Sequence, residues 1–245
     1  MRPRGLYVLA PDAFDRIYGE AERADLAELV EVQEDPQTAE TVAKDLDVLD
    51  GVEVILSGWG APVMDGGFLD AAGDLRAVFY GAGSVRPFVT DALWERGVRV
   101  VSAYSANAVP VSEYALAAVL FSLKRGWHFA AAVRKERSFP PLSRMPGAYG
   151  STVGIVSLGA TGRMLRERLL PFDVRVAARD PYVTEEEAAG LGVELLTLDR
   201  LFREADVVSL HTPWLPETEG LIRGSHLASM KPGATFVNTS RGAVV

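Results

Sequence analysis

The 245-residue sequence contains no cysteine and only three histidines. Without thiols there can be neither disulfides nor thiolate metal sites, and three imidazoles give a transition-metal centre little to draw on. No metal is expected, and a reducing compartment, the cytoplasm, is the expected setting. Long hydrophobic runs are missing too. The basic start Met1-Arg2-Pro3-Arg4 leads only into the short apolar run Leu6 to Ala10, which ends at Pro11-Asp12, so no signal peptide is expected. Tyr114 to Leu123, the longest apolar stretch, falls short of the roughly 20 residues that span a bilayer, and no membrane partner is expected. Basic clusters are equally absent: 25 Lys and Arg are outnumbered by 33 Asp and Glu, the formal net charge is -8, and the two signs are mixed along the chain. That distribution lacks the footprint a phosphate backbone requires, which removes nucleic acid as a partner.

What is present is the composition of a globular protein, 48% hydrophobic and 24% charged, at a length that accommodates two ordinary domains. Short apolar or β-branched runs alternate with amphipathic segments. Leu6 to Leu9, Val30 to Val32, Val54 to Leu56, Ala77 to Phe79 and Val98 to Val101 read as strands. Thr38 to Leu46, Phe68 to Ala72 and Thr90 to Arg96 read as helices between them, and this βαβα order predicts one parallel sheet. A single long helix is predicted from Val111 to about Arg134, apolar nearly all round through Leu123, as a helix buried between layers or subunits would be. The proline-rich stretch Arg137 to Tyr149 reads as a loop. A second series follows: Thr152 to Val156, a helix to Leu170, Val174 to Ala177, Val193 to Leu195, Val207 to Leu210 and Thr235 to Val237. Thr184 and Glu187 have the spacing of a capping box.

The stretch Val153 to Gly162 runs from strand through a tight turn into a helix. There the N–H groups of Gly159, Ala160, Thr161 and Gly162 could hold the pyrophosphate of a dinucleotide. The dinucleotide fingerprint wants glycine at its first position, where Ser157 stands; serine is tolerable only if the turn needs no positive φ. On these residues alone, any strand-to-helix turn is an equal reading. Asp180 shifts the balance, because it follows the strand Val174 to Ala177, about 20 residues after the turn. A carboxylate so placed accepts the ribose hydroxyls of NAD and repels the 2′-phosphate of NADP, a repulsion that neighbouring Arg179 could soften. A solvated turn Asp before Pro181 is the plain alternative.

Two further blocks, taken with this turn, resemble the D-isomer-specific 2-hydroxyacid dehydrogenases over nearly the whole cofactor domain. Ala205 to Pro213, followed by Pro216-Glu217-Thr218, is similar to the family's strand and loop beside the adenosine half of the cofactor. The resemblance implies His211, Thr212, Pro213 and Thr218 as cofactor contacts. Met230 to Gly242 is similar to the signature that carries the family's catalytic arginine, which implies that role for Arg241, with Thr239 and Ser240 beside it at the cofactor. A planar guanidinium can grip a 2-oxo acid bidentately, and open α/β sheets hold ligands at the C-terminal ends of their strands. The family holds the substrate carboxylate on the loop that corresponds to Tyr80 to Val85, implying Gly81, Ala82 and Gly83; Val85 stands where its usual aspartate would be. Ser57-Gly58-Trp59-Gly60 is a second candidate wall, which reads more readily as a plain glycine turn. Asn107 with Val111-Ser112-Glu113 is similar to the entry into the family's dimerising helix, with Val111 implied at the cofactor and Ser112 where alanine is usual.

The expected fold is α/β, two Rossmann- or flavodoxin-like domains with parallel sheets: residues 1–105 for the substrate, residues 106–245 for the cofactor, and an active-site cleft between them. The resemblance implies hydride transfer between NAD(H) and a small 2-hydroxy or 2-oxo acid, and a homodimer through the 111–134 helix. It also implies that the chain is incomplete at its C-terminus. The family's Glu and the His that moves the proton follow the arginine motif, whereas His128, His211 and His226 all precede it. In the family the chain then returns to the first domain, so apolar surface of that domain is expected to stand open here. A catalytically silent NAD-binding module of the same fold is the alternative from a different class, and a relative acting on formate or another small anion is a third.

Overall fold

A computed structural model describes residues 1–32, 35–138 and 147–245, which divide into two compact units, Met1–Asn107 and Ala108–Val245. Most of the predicted loop from Arg137 to Tyr149 lies outside the described residues.

In the first unit, β1 (Arg4–Val8), β2 (Glu31–Val32), β3 (Val54–Ser57), β4 (Ala77–Tyr80) and β5 (Arg99–Ser102) form a parallel sheet ordered β2-β1-β3-β4-β5. The two-residue period of each strand sorts its side chains between two faces. One face buries Tyr7, Val54 and Leu56 with Ala13 of the helix α1 (Pro11–Ile17), and Leu26 of α2 (Glu20–Leu29) packs half-buried against them. The other buries Leu6, Val8, Ile55 and Val78 with Val42, Phe68 and Leu93, carried by α3 (Ala39–Lys44), α4 (Gly66–Ala71) and α5 (Asp91–Glu95). Cover on the first face stops half way. Phe79 of β4 and Val101 of β5 are 44% and 50% exposed, and a groove of about 760 Å³ lies there between Leu26, Leu29, Leu56 and Phe79. Open apolar surface was expected in this domain, and it is found on the β4–β5 side.

Helix α6 (Tyr104–Leu123) carries the chain into the second unit and is followed by α7 (Gly126–Glu136). Then strands and helices alternate: β6 (Ser151–Val156), α8 (Ala160–Arg168), β7 (Val174–Arg179), α9 (Glu185–Gly190), β8 (Glu194–Leu195), α10 (Leu198–Glu204), β9 (Val207–Leu210), α11 (Gly224–Ala228) and β10 (Thr235–Asn238). The sheet is parallel and ordered β10-β9-β6-β7-β8. Central strand β6 is buried at every residue, since α6 and α8 pack on one face around Ile155 and α10 packs on the other around Val156. Winding reverses between β6 and β9, and the C-terminal ends of those strands are where such a sheet offers a ligand crevice.

The long helix differs from expectation in two ways. It is interrupted: Arg125 takes a left-handed φ of 51°, and Gly126 opens α7 because the ring of Phe121 occupies the space of a Cβ. It also starts earlier, so α6 has 20 residues with an 18-residue stretch of mean hydropathy 1.4, enough by length and composition to cross a membrane. The exclusion based on the shorter apolar run therefore fails, although Ala115, Val119 and Leu123 of α6 lie in the core with β6. Helices α1 and α2 were not foreseen. Thr184 caps α9 by accepting the Glu187 N–H at 3.2 Å, but the Glu187 carboxylate pairs with Arg163 at 2.6 Å, so only half of the capping box forms.

Candidate functional site

The turn between β6 and α8 is built on a strained residue. Ser157 has a φ of 76°, in the left-handed region that residues with side chains avoid, so the condition under which serine would be harmless is not met. Its N–H continues the ladder to Arg179 O at 2.9 Å, and its Oγ lies 2.8 Å from Thr212 Oγ1. A Cβ at Gly162 would stand 2.2 Å from the Ser157 carbonyl oxygen, so only glycine lets α8 dock this closely on the turn. Around Gly159, by contrast, a Cβ would meet nothing. Arg163 N–H turns back to Gly159 O, while the amides of Ala160, Thr161 and Gly162 engage no acceptor among the described residues. Three such donors at a helix N-terminus are arranged as an anion would require.

Asp180 stands just beyond β7, half-buried. One carboxylate oxygen accepts the Leu158 N–H at 2.7 Å and the other accepts the Tyr182 N–H at 2.8 Å. It therefore anchors the turn while each oxygen keeps acceptor capacity for a ribose hydroxyl. The Arg179 guanidinium folds onto the Asp180 carbonyl at 3.4 Å.

The loops after β9 and β10 are tied to one another. Thr239 Oγ1 donates to Leu210 O at 3.0 Å, so it accepts the Nδ1–H of His211 at 2.7 Å. That leaves Nε2 of His211 as the lone-pair nitrogen, shut away from water and without a partner among the described residues. Burial lowers the His211 pKa to about 4, and the ring is neutral at pH 7. Thr212 is buried, and its carbonyl accepts the Ser240 hydroxyl. Thr218 is occupied locally, donating to Pro213 O at 2.6 Å and accepting Leu215 N–H at 2.8 Å, so it shapes the loop. Arg241 is exposed and donates through Nη1 to Ser240 O at 3.0 Å. Asn238, which the sequence reading did not single out, braces this end: Oδ1 accepts Ser240 N–H at 2.8 Å and Nδ2 donates to Arg241 O at 3.3 Å. An Asn closing a strand and bonding the backbone two residues on is a recognisable signal that was available.

Gly159 to Gly162, Asp180, His211, Thr212, Thr239, Ser240 and Arg241 are thus gathered where β6, β7, β9 and β10 end. Val111 is not joined to them by any described contact; the adjacent Ser112 and Glu113 bond Arg168, in the last turn of α8, at 3.0 and 3.3 Å. Gly81, Ala82 and Gly83 follow β4 in the first unit. The three are not equivalent, because Gly81 N–H is donated to Ser57 O at 2.8 Å, whereas the amides of Ala82 and Gly83 engage no acceptor among the described residues. His128 is exposed on α7, and His226 accepts Arg223 N–H at 2.9 Å and faces Asp199 at 3.3 Å. No group of metal-ligating side chains occurs among the described residues.

Comparison with known proteins supplies the family. The family model described as D-isomer specific 2-hydroxyacid dehydrogenase, NAD binding domain, matches residues 116–245. The chain is 40% identical over 187 residues to D-3-phosphoglycerate dehydrogenase of Mycobacterium bovis, an alignment covering 76% of this chain and 35% of that protein. It is 36% identical over 174 residues to (S)-sulfolactate dehydrogenase of Chromohalobacter salexigens, covering 70% of this chain and 56% of that one. The chain spans about a third of the length of several of the curated relatives it matches. A solved phosphoglycerate oxidoreductase from Rhizobium etli shares the fold with a TM-score of 0.80 at 24% identity, over 100% of this chain and 74% of that chain.

Proposed function

The chain belongs to the D-isomer specific 2-hydroxyacid dehydrogenase family, and on that premise we propose that it supplies the NAD-binding machinery and the substrate arginine of an oxidoreductase acting on a small 2-hydroxy or 2-oxo acid. The observation that carries this reading is the grouping, at the C-terminal ends of one parallel sheet, of an anion-binding helix start, a ribose-type carboxylate and an unhindered guanidinium. The residues fit the cofactor: Gly162 permits the close turn, Gly159 leaves its approach open, and Asp180 keeps acceptor capacity.

When bound, the nicotinamide supplies or takes the hydride. The amides of Ala160, Thr161 and Gly162 neutralise the pyrophosphate, and Asp180 favours NAD over NADP by repelling a 2′-phosphate. Arg241 holds the acid carboxylate and draws charge toward the reacting carbonyl; in the first unit, the amides of Ala82 and Gly83 engage no acceptor among the described residues and are donors of the kind that holds a carboxylate. His211 is neutral and enclosed and serves as a support for Thr239, not as a proton donor. His128 and His226 have no described contact with Arg241. None of the three histidines is proposed as the proton donor. Exposed Tyr114, Phe121, Trp127 and Val133 along α6 and α7 support a homodimer through these helices, which light scattering would read directly. The cytoplasm is the proposed location, and neither a membrane nor nucleic acid is proposed as a partner.

The test is titration with NADH and NADPH, together with Arg241→Lys assayed beside the wild type. NADH should bind more tightly than NADPH. The lysine variant should keep NADH affinity but lose roughly 100-fold in kcat/KM for every accepted 2-oxo acid, because an ammonium cannot reproduce the two-pronged grip. Wild-type turnover in that variant would remove Arg241 from the reaction. NADH binding by a wild type that reduces no 2-oxo acid would favour the silent module.

A further inference from the structure

The strained residue in the dinucleotide turn is also the one that reaches out of it. Ser157 occupies a backbone region suited to glycine, and its hydroxyl meets Thr212 Oγ1 in the loop after β9 at 2.8 Å. Thr212 is almost fully buried, and its carbonyl accepts the hydroxyl of Ser240 in the loop after β10. Ser240 directly precedes Arg241, and the side chain of Asn238 clasps the backbone of both. Three loops are therefore tied in series, with the dinucleotide turn at one end and the guanidinium at the other. Glycine at position 157 would relieve the φ and cut the series at its first link.

We propose that Ser157, Thr212 and Ser240 form a hydroxyl strap through which the dinucleotide turn sets the position of Arg241, making Ser157 a positioning residue. The proposal rests on the reading of Arg241 as the residue that grips the substrate. A guanidinium grips a planar acid only when its fork is held in one orientation. The described side-chain bond of Arg241 goes to the Ser240 carbonyl, so its orientation follows that residue, and Ser240 is held through Thr212 by Ser157. The serine thus exchanges a relaxed turn for a defined arginine loop.

Amide hydrogen exchange on the chain tests the strap without catalysis. Exchange at Thr239 to Gly242 should quicken by roughly tenfold in Ser157→Gly and in Thr212→Val, and should stay at the wild-type rate in Thr212→Ser, which keeps the hydroxyl. Global unfolding is separated by urea: Ser157→Gly, which loses a bond and a strain together, should keep the wild-type midpoint, while Ser157→Ala, which loses only the bond, should fall below it. In binding and turnover assays, Ser157→Gly should leave the Kd for NADH within about twofold and raise KM for the 2-oxo acid roughly tenfold. Unchanged exchange at Thr239 to Gly242 in both Ser157→Gly and Thr212→Val overturns the strap, and so does a Thr212→Ser variant that behaves like Thr212→Val. Failure of the wild type to bind NADH would instead bring down the cofactor reading, and the exchange rates would still decide the strap.

Discussion

In the amino-terminal sheet the winding reverses between β1 and β3, and the two loops there close on each other. Ala10 N–H donates to Trp59 O at 2.7 Å, a Cβ on Gly60 would meet the Ala10 amide nitrogen at 2.8 Å, and α1 opens with Pro11, which has no N–H to offer. The second sheet reverses between β6 and β9, where the loops are joined through side-chain hydroxyls and α8 opens with three amides that engage no acceptor among the described residues. Both sheets have a switch point, and the two are closed differently. What separates them is how the loops are joined: in the first sheet the backbone Ala10 N–H makes the link to the neighbouring loop, and in the second a serine side chain makes it and leaves the amides of Ala160, Thr161 and Gly162 unengaged among the described residues.

The strongest way to break that contrast is Gly162→Ala. The new Cβ would press on the Ser157 carbonyl, a backbone atom that cannot move without disturbing the turn. A loss on the order of 3 kcal/mol in urea unfolding is expected, together with loss of NADH binding. If the variant kept both its midpoint and its affinity, close docking of α8 would not be what makes this switch point a site.

A comparable effect, confined to acid, is expected from His211. All three histidines belong to the second unit, and only His211 combines enclosure with an orphaned nitrogen. Its folded pKa of about 4 lies below the ordinary 6.5, so the unfolded chain binds the proton more readily than the native one. The stability this contributes is complete above pH 6.5 and disappears as pH falls toward 4, a loss of about 3 kcal/mol. Urea midpoints measured for the wild type and His211→Asn at pH 7 and pH 4.5 read the difference. The substitution should flatten the pH dependence, and an equal slope in both proteins would show that the ring already titrates freely in the fold.

How much of this was legible varies with the physical origin of each feature. Strand runs and the order of motifs were readable because parallel strands are continuous apolar segments and because Asp180 and Arg241 fall where strands end. Helix α2 was not, since it buries no residue and so carries no apolar stripe, and α1 was hidden because Pro11 was read as stopping a run and not as starting a helix. The break at Arg125 depends on the Phe121 ring folding over Gly126, a tertiary contact. Ser157 shows the limit most clearly. The fingerprint marked the position as one that wants glycine, but neither the positive φ nor the Thr212 hydroxyl that meets it, 55 residues away, can be read from the turn alone.

The smallest expected effect belongs to the glycine loop of the first sheet. At Gly83 a Cβ would find only Asn107 Nδ2, at an ordinary 3.6 Å, and the backbone is not left-handed, so Gly83→Ala should change stability by less than about 0.5 kcal/mol. Gly81 is the internal control. There the Cβ would land 2.2 Å from Ile17 Cγ2, beneath the bond to Ser57 O, and Gly81→Ala should lose about 1–3 kcal/mol. If the amides of Ala82 and Gly83 hold the substrate carboxylate, the methyl of Gly83→Ala still narrows the approach to them. The variant should then raise KM for the 2-oxo acid while NADH affinity and the urea midpoint stay at wild-type values. This is the opposite pattern to Gly162→Ala, which acts through docking of a helix. A Gly83→Ala enzyme with unaltered KM would mean that the loop after β4 holds no anion and that the substrate carboxylate is gripped from the second sheet alone.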